Sequence, residues 1–370
     1  MNNPSSISKK EPFIRIEKRT ELYGFKQAMV ILIAILVALV AGGIFILCLG
    51  HNPFVAYKTI VYGAFSNAIY IKSTIELIIP LVILSLGITL AFKMKFWNIG
   101  AEGQFIMGAL FATFPALFLN NMPHILLLLL MFLFGFIGGG LFGLLPAYFK
   151  SKYNTNETLF TLMLNYVALY LVVYLKEGPW RDPSSGGFPK IASYIEKARL
   201  DTIFNVHIGW IVGLLLVVII FFYIKKSKHG YEISVVGESE NTANYAGMNV
   251  KKIVLRTMFI SGGICGIAGM LQASGVNYCL DEGIASGVGF TAIIIAWLAR
   301  LNPLGILFVS IMFGILEKGC GVMESSYGFS SSVPDILQGI ILFCILACDF
   351  FTRYKFTKRH STKEVRKEEN

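Results

Sequence analysis

The run His124–Tyr148, HILLLLLMFLFGFIGGGLFGLLPAY, contains no Asp, Glu, Lys or Arg. A helix rising about 1.5 Å per residue needs about 20 apolar residues to cross a hydrocarbon layer about 30 Å thick. This run is long enough to span a membrane unaided. Gly135, Gly139 and Gly143 recur four apart within it and fall on one stripe, and Gly262 and Gly266 repeat the interval in another apolar run. Small residues at that spacing let helix backbones meet closely, which serves tight packing with or without a role in transport.

Working outward, comparable runs lie near 28–49, 74–92, 98–120, 157–175, 207–224, 253–273, 284–299, 303–321 and 334–352, so the sequence predicts ten crossings. Composition agrees: 55% of the 370 residues are hydrophobic, only 15% are charged, and mean hydropathy is +0.66. Water-soluble chains carry about 25% charged residues, so a soluble enzyme is excluded. The expected fold is all-α and polytopic, with a tail over 1–27, a membrane domain over 28–352 and a basic tail over 353–370. The amphipathic stretch Asn52–Ser73 is expected to lie on the outer interface without crossing.

An even number of crossings puts both termini on one side. That side then holds 23 of the 32 Lys and Arg, the opposite side holds seven, and Arg256 and Lys318 fall inside spans. Cationic residues near span ends mark the cytoplasmic face, so both termini are expected in the cytoplasm of a multi-pass plasma-membrane protein surrounded by lipid. The net charge of +10 then reflects orientation and gives no reason to expect nucleic-acid binding. The polar N-terminus precedes the first apolar run by too many residues for a cleavable leader, so that run is expected to remain as an anchor.

Chemistry-bearing clusters are scarce. The six Cys and five His are dispersed without metal-ligand spacing, so no metal site is expected. There is no GxxxxGK[ST] phosphate loop and no nucleophile elbow. An intramembrane enzyme therefore lacks its nucleophile, base or metal set, and any energy source must come from another chain. An ion-driven carrier would need a buried acidic coupling site, for which only Glu102 and Glu317 offer themselves.

The most informative polar stretch is Phe92–Phe111, FKMKFWNIGAEGQFIMGALF. Asn98 is placed to cap a helix beginning near Ile99, and Glu102 then falls in its first turns, where the helix dipole favours a carboxylate. With Gly100 and Gly103, the stretch reads either as a break between two helices that exposes backbone to a polar solute, or as a cytoplasmic turn followed by a capped helix. Asn165, inside an apolar run, must face protein or a pathway. Trp97, Phe290 and Trp297 offer flat faces to a planar base, although interfacial anchoring explains them as well.

Two longer connections flank the spans. Glu177–Val206 is expected outside, opening with Pro and Gly turns and ending in a short helix; it is either a solvated connection, with Trp180 and Tyr194 as interface anchors, or a docking surface. Lys225–Lys252 is expected in the cytoplasm, with Glu238, Ser239 and Asn241 capping a short exposed helix through Ala243, Tyr245 and Ala246, closed by a left-handed Gly247.

The run FWNIGAEGQ resembles the signature of permease subunits of bacterial ABC importers for nucleosides and simple sugars, within the ribose and branched-chain amino acid permease group. NETLFTLMLNYVALYL from Asn156, GPWRDP from Gly178, YEISVVGESENTANYAGMNVKKI from Tyr231, SGGICGIAGMLQASG from Ser261 and GVGFTAIIIAWLARLNPLGIL from Gly287 extend the likeness over about residues 25–355. The resemblance implies a cobalamin-importer-type membrane domain of about ten helices, two permeases around one pathway. It also implies two cytoplasmic ATPases that bind the ATP, leaving this chain without a cofactor, and an external substrate-binding lipoprotein. Glu238–Gly247 becomes the coupling helix seated in an ATPase groove. Candidates for the pathway are Asn98, Glu102, Gln104, Asn165, Phe290 and Thr291. Thr291 stands where relatives often carry an acid, which leaves the ligand open between nucleosides and sugars of the ribose or galactose kind. It also favours pairing with a second, non-identical permease.

Overall fold

The computed structural model describes residues 14–18, 25–327 and 354–358, with separate positions between 332 and 347. The chain divides into two units, Tyr57–Ser331 and the terminal segments Met1–Ala56 with Ser332–Asn370. In the terminal unit, helix α1 (Phe25–Cys48) is joined by a two-stranded antiparallel ladder of β1 (Ile14–Lys18) and β4 (Tyr354–Lys358), Ile14 standing opposite Lys358. IRIEK and YKFTK alternate β-branched or aromatic residues with charged or polar ones, a pattern that suits a pleated ribbon. The chain is mostly helical, as an all-α fold requires, and this short ladder is an addition to it, formed by residues within the stretches expected as tails. Most of the predicted span 334–352 lies outside the described residues.

Pro53–Phe65 forms α2 and Ala68–Lys93 forms α3, so the end of the stretch assigned to the outer interface already belongs to a membrane-length helix. Asn67, extended and accepting the Tyr70 N–H, starts α3. The order continues with α4 (Ala101–Phe118), α5 (His124–Tyr153), α6 (Glu157–Glu177), a β2–β3 hairpin (Thr202–Ile203, Val206–His207) and α7 (Gly209–Lys226). Then come α8 (Lys228–Glu238), α9 (Glu240–Tyr245), α10 (Val250–Gln272), α11 (Val288–Leu298) and α12 (Pro303–Tyr327).

Among the described residues, seven helices are long and apolar enough to cross a membrane, or eight if Leu36–Cys48 and Pro53–Phe65 count as one broken span. The predicted span 284–299 is not among them. Helix α11 runs only from Val288 to Leu298, and at about 1.5 Å per residue it is about half the length a crossing requires.

Burial sorts the helices into an inner and an outer set. The most apolar windows of α3, α4 and α10 are 78%, 72% and 78% buried within the chain, whereas those of α6 and α7 are 22% and 28% buried. The expected glycine stripes form the central seam. A Cβ at Gly139 would lie 2.3 Å from the Gly262 carbonyl oxygen, and one at Gly266 would lie 2.2 Å from that of Gly135. The backbones of α5 and α10 therefore touch, a contact that lipid-solvated helices need because apolar burial gives them little drive to associate.

The connection Glu177–Val206 is not a loose surface loop. Ile191, Tyr194, Ala198 and Leu200 are buried. The Tyr194 hydroxyl lies 2.5 Å from that of Thr113 in α4, the Tyr194 N–H donates to Tyr278 O (2.7 Å), and the Leu200 N–H donates to Ser274 O (3.1 Å). Tyr194 is thus a plug and not an interface anchor, and the expected short helix is a single 3-10 turn, Glu196–Ala198. The buried His207 ring fills the space beside the π turn Ala273–Asn277 that ends α10.

Candidate functional site

Helix α3 stops at Lys93 and α4 begins at Ala101; between them Met94–Gly100 is non-helical. Met94, Phe96 and Asn98 in this segment are buried. Buried backbone must find hydrogen-bond partners, and helix α6 supplies them from two side chains one turn apart. Thr161 Oγ1 accepts the Ile99 N–H (3.1 Å). Asn165 spans the break: its Nδ2 donates to Ile99 O (3.0 Å) and its Oδ1 accepts the Gly103 N–H (2.8 Å). A side chain at Gly103 would crowd this bond, since its Cβ would lie 2.9 Å from that same Oδ1.

Asn98 does not cap α4. The residue preceding that helix is Gly100, which has no side chain to cap with. Asn98 Oδ1 instead accepts the Gly100 N–H (3.0 Å) and Gln104 Nε2 (3.2 Å), while its own Nδ2 donates to Gln104 Oε1 (3.1 Å). The two amides form a reciprocal pair with both residues buried. Ile99 remains outside the helix because α6 holds both its N–H and its carbonyl, while Asn98 itself holds the Gly100 N–H.

Glu102 also acts on a helix other than its own. Its Oε1 accepts the Gly287 N–H (2.9 Å) and its Oε2 the Gly289 N–H (3.1 Å). Gly287, left-handed at φ +84°, precedes α11 without a side-chain cap, so a carboxylate from α4 meets the positive end of α11. The approach is close: a Cβ at Gly289 would lie 2.6 Å from the Glu102 nitrogen. Thr291, half-buried, lies in the first turn of α11.

The structure thus places the Asn98–Gln104 pair and Asn165 on the same buried stretch of backbone, Ile99–Gly103, with Glu102 tying α4 to the start of α11, where Phe290 and Thr291 stand. The adjoining surface is aromatic. Trp97 and Trp297 stack with centroids 5.5 Å apart at 22°, and the Phe92 ring lies 5.7 Å from each. Trp97, Phe290 and Trp297 remain 46%, 43% and 39% exposed. Sequence reasoning missed Thr161, although it stands one helical turn before Asn165, and it missed the paired glycine amides that receive Glu102.

The segment expected to carry one short helix carries two. Glu238 ends α8, and Ser239, extended at φ −159°, begins α9 by accepting the Thr242 N–H (3.2 Å). Asn241, Ala243 and Tyr245 belong to α9, Ala246 caps its end, and Gly247 turns the chain at φ +74°. Ala243 is buried, whereas Tyr245 is 94% exposed. Helix α8 anchors this segment: a Cβ at Gly237 would lie 2.0 Å from Lys93 O. The buried His229 ring lies 2.5 Å from the Tyr223 hydroxyl and 3.4 Å from Thr257 Oγ1. Burial lowers its proton affinity, and nearby Arg256 adds to the effect, so His229 is held neutral as a tie among α7, α8 and α10.

Membrane-length helices enclosing a buried, non-helical polar break define a polytopic membrane protein whose centre is built around interrupted helices. The chain belongs to the family of branched-chain amino acid transport system / permease components, matched over residues 70–346. It is 32% identical over 325 residues to the guanosine ABC transporter permease protein NupP of Bacillus subtilis, covering 85% of this chain and 91% of that one. It is 28% identical to the glucose ABC transporter permease protein TsgB13 of Haloferax volcanii, covering 87% and 88%. It is 25% identical to the guanosine ABC transporter permease protein NupQ of Bacillus subtilis, covering 77% and 92%. The chain is therefore a permease component of an ABC transporter, not an enzyme, and it works with an ATPase and a paired permease subunit.

Proposed function

We propose that this chain is one of two non-identical permeases of a plasma-membrane importer that carries nucleosides inward, with both termini in the cytoplasm and ATP bound only by the partner ATPase. The observation that carries the nucleoside reading is the 32% identity to a guanosine permease over nearly the full length of both chains. Pairing with a related subunit draws on the likeness to both NupP and NupQ, two permease proteins of one bacterium. A sugar as the cargo is the second reading, favoured by the likeness to TsgB13.

The cobalamin-importer-type architecture of about ten crossings remains part of this proposal, with the short α11 and its preceding turns occupying one nominal crossing. The pathway runs along the half-exposed aromatic face of Trp97, Phe290 and Trp297, where a planar base has rings to stack on. Asn98, Gln104 and Asn165 support that face from behind, since their polar atoms are engaged with one another and with backbone. Helix α9 is the coupling helix, and Tyr245 is the side chain it presents to an ATPase groove. ATP-driven closure of the ATPases moves α9, and α8 passes that motion to the end of α3 through the Gly237–Lys93 contact. An external lipoprotein delivers the solute to the opposite face.

The test is uptake by the full importer reconstituted in vesicles, with labelled guanosine competed by unlabelled nucleosides or glucose. Competition by nucleosides alone supports the proposal, and competition by glucose alone overturns the cargo. Tyr245→Ala is expected to leave ATP hydrolysis running while uptake falls. Normal uptake in that variant would remove α9 from the coupling role.

A further inference from the structure

Behind α9 lies a cavity of 710 Å³, walled by the end of α5, residues Met94–Phe96 and the start of α10. Small-molecule sites commonly occupy about 300–1,000 Å³. Its charged lining is Lys95, Lys150, Lys152 and Lys251 against Glu157 and Glu240. Lys150 and Glu157 neutralise each other at 3.0 Å, which leaves three ammonium groups facing one carboxylate. Among the described residues, none of those three has a carboxylate within ion-pair reach. Lys152 lies 3.1 Å from the Tyr148 hydroxyl, and Lys95 makes only a 3.5 Å contact with Glu238 O.

Lys95 reaches the cavity from the left-handed turn that ends α3, where its N–H donates to Phe92 O (2.9 Å) and the Phe96 N–H to Ala91 O (3.0 Å). One further feature points the same way. The start of α10, including Asn249 and Val250, also lines the cavity, adding the partial positive charge of a helix N-terminus. Met94, Phe96, Val236, Met248 and Val254 give the cavity an apolar wall. The outward-facing Tyr245 is not part of the lining, so an ATPase contact through that ring leaves the cavity's own walls in place.

We propose that this cavity binds a phosphate-bearing organic anion, either a soluble nucleotide or an anionic lipid headgroup. The cationic rim takes the phosphate and the apolar wall takes the attached organic part. An occupant would tie α9 to α5 and α10 and so adjust how freely the coupling segment moves. The inference does not depend on which solute is imported.

The experiment uses the full-length chain in nanodiscs of pure phosphatidylcholine, with labelled AMP as one probe and short-chain phosphatidylglycerol as the other. Saturable binding of AMP identifies a soluble source, and binding of phosphatidylglycerol alone identifies a lipid. In Lys95→Gln/Lys251→Gln, affinity for the bound probe is expected to fall about tenfold or more, the loss of charge-assisted contacts. Lys95→Arg/Lys251→Arg should keep binding, and Lys190→Gln/Lys197→Gln, an equal charge change on the far connection, should leave it unchanged. The proposal is overturned if neither probe binds saturably, if the far pair weakens binding as much as the cavity pair, or if the arginine pair loses as much as the glutamine pair. Binding is read without transport, so its failure would leave the nucleoside reading standing, and failed uptake would leave the site standing.

Discussion

Replacing Glu102 tests whether its carboxylate holds α11 or handles the solute. Glu102→Ala removes both acceptors at the start of α11. Losing an N-terminal cap costs about 0.5–2 kcal/mol, and losing a partly buried anion at that end costs about 0.3–2 kcal/mol more. The combined effect on local opening of α11 is therefore about 1–4 kcal/mol. Glu102→Gln keeps one oxygen and turns an amide N–H toward a second donor, so about half of that loss is expected. Since about 1.4 kcal/mol corresponds to a tenfold change in an equilibrium, amide exchange at Gly287 and Gly289 should quicken several-fold in the glutamine variant. In the alanine variant it should quicken by about fivefold to several hundredfold. Exchange at Ala112, buried deeper in α4, serves as the unchanged reference. Uptake should fall in the same order. Abolished uptake in Glu102→Gln with unaltered exchange at both glycines would refute the capping role and return the carboxylate to the solute.

Asn165→Val strands the Ile99 carbonyl and the Gly103 N–H, each costing about 1–3 kcal/mol when buried without a partner; thermal unfolding of the purified chain should show a clear loss, and an unchanged midpoint would mean the break finds other partners. Gly139→Leu is expected to prevent stable packing of α5 on α10, read as loss of the folded monomer on size exclusion, because the added atoms would meet backbone. His207, outside the spans, is buried, and its pKa is lowered to about 4 from the ordinary 6.5. The unfolded chain therefore binds the proton first, so stability should decline as pH falls from 6.5 toward 4 and then level off. His207→Phe should remove that slope in pH-dependent melting, and a slope that persisted would assign it to other groups.

Uncharged runs such as His124–Tyr148 marked the bundle because the hydrocarbon layer dictates their length and composition, and Gly139 and Gly266 marked its seam because backbone contact tolerates no Cβ. The site was legible in its residue types but not in its pairings. Asn98 carries the residue type of a cap, yet the partners that keep Ile99 out of a helix are on α6, 62 and 66 residues away. Glu102 meets amides 185 and 187 residues further on, a distance no local pattern encodes. Helix α11 was overestimated because its apolar neighbours extend the hydropathy signal beyond the turn at Gly287. In the segment Lys225–Lys252 the start of α9 was legible because Ser239 is a residue type that caps helices, whereas α8 before it was missed because KHGYEISVVGE mixes two glycines with polar and β-branched residues.

The contact between Gly237 and the Lys93 carbonyl is main chain against main chain, with no flexible side chain to absorb displacement. On the proposed coupling role, a push arriving through α8 would therefore reach the end of α3 without slack, and the non-helical residues that follow include Ile99, which α6 clamps. In the coupling proposed above, input at the surface and response in the interior would be geared together by one glycine, and widening that gap by a single methyl group should put backlash into the drive.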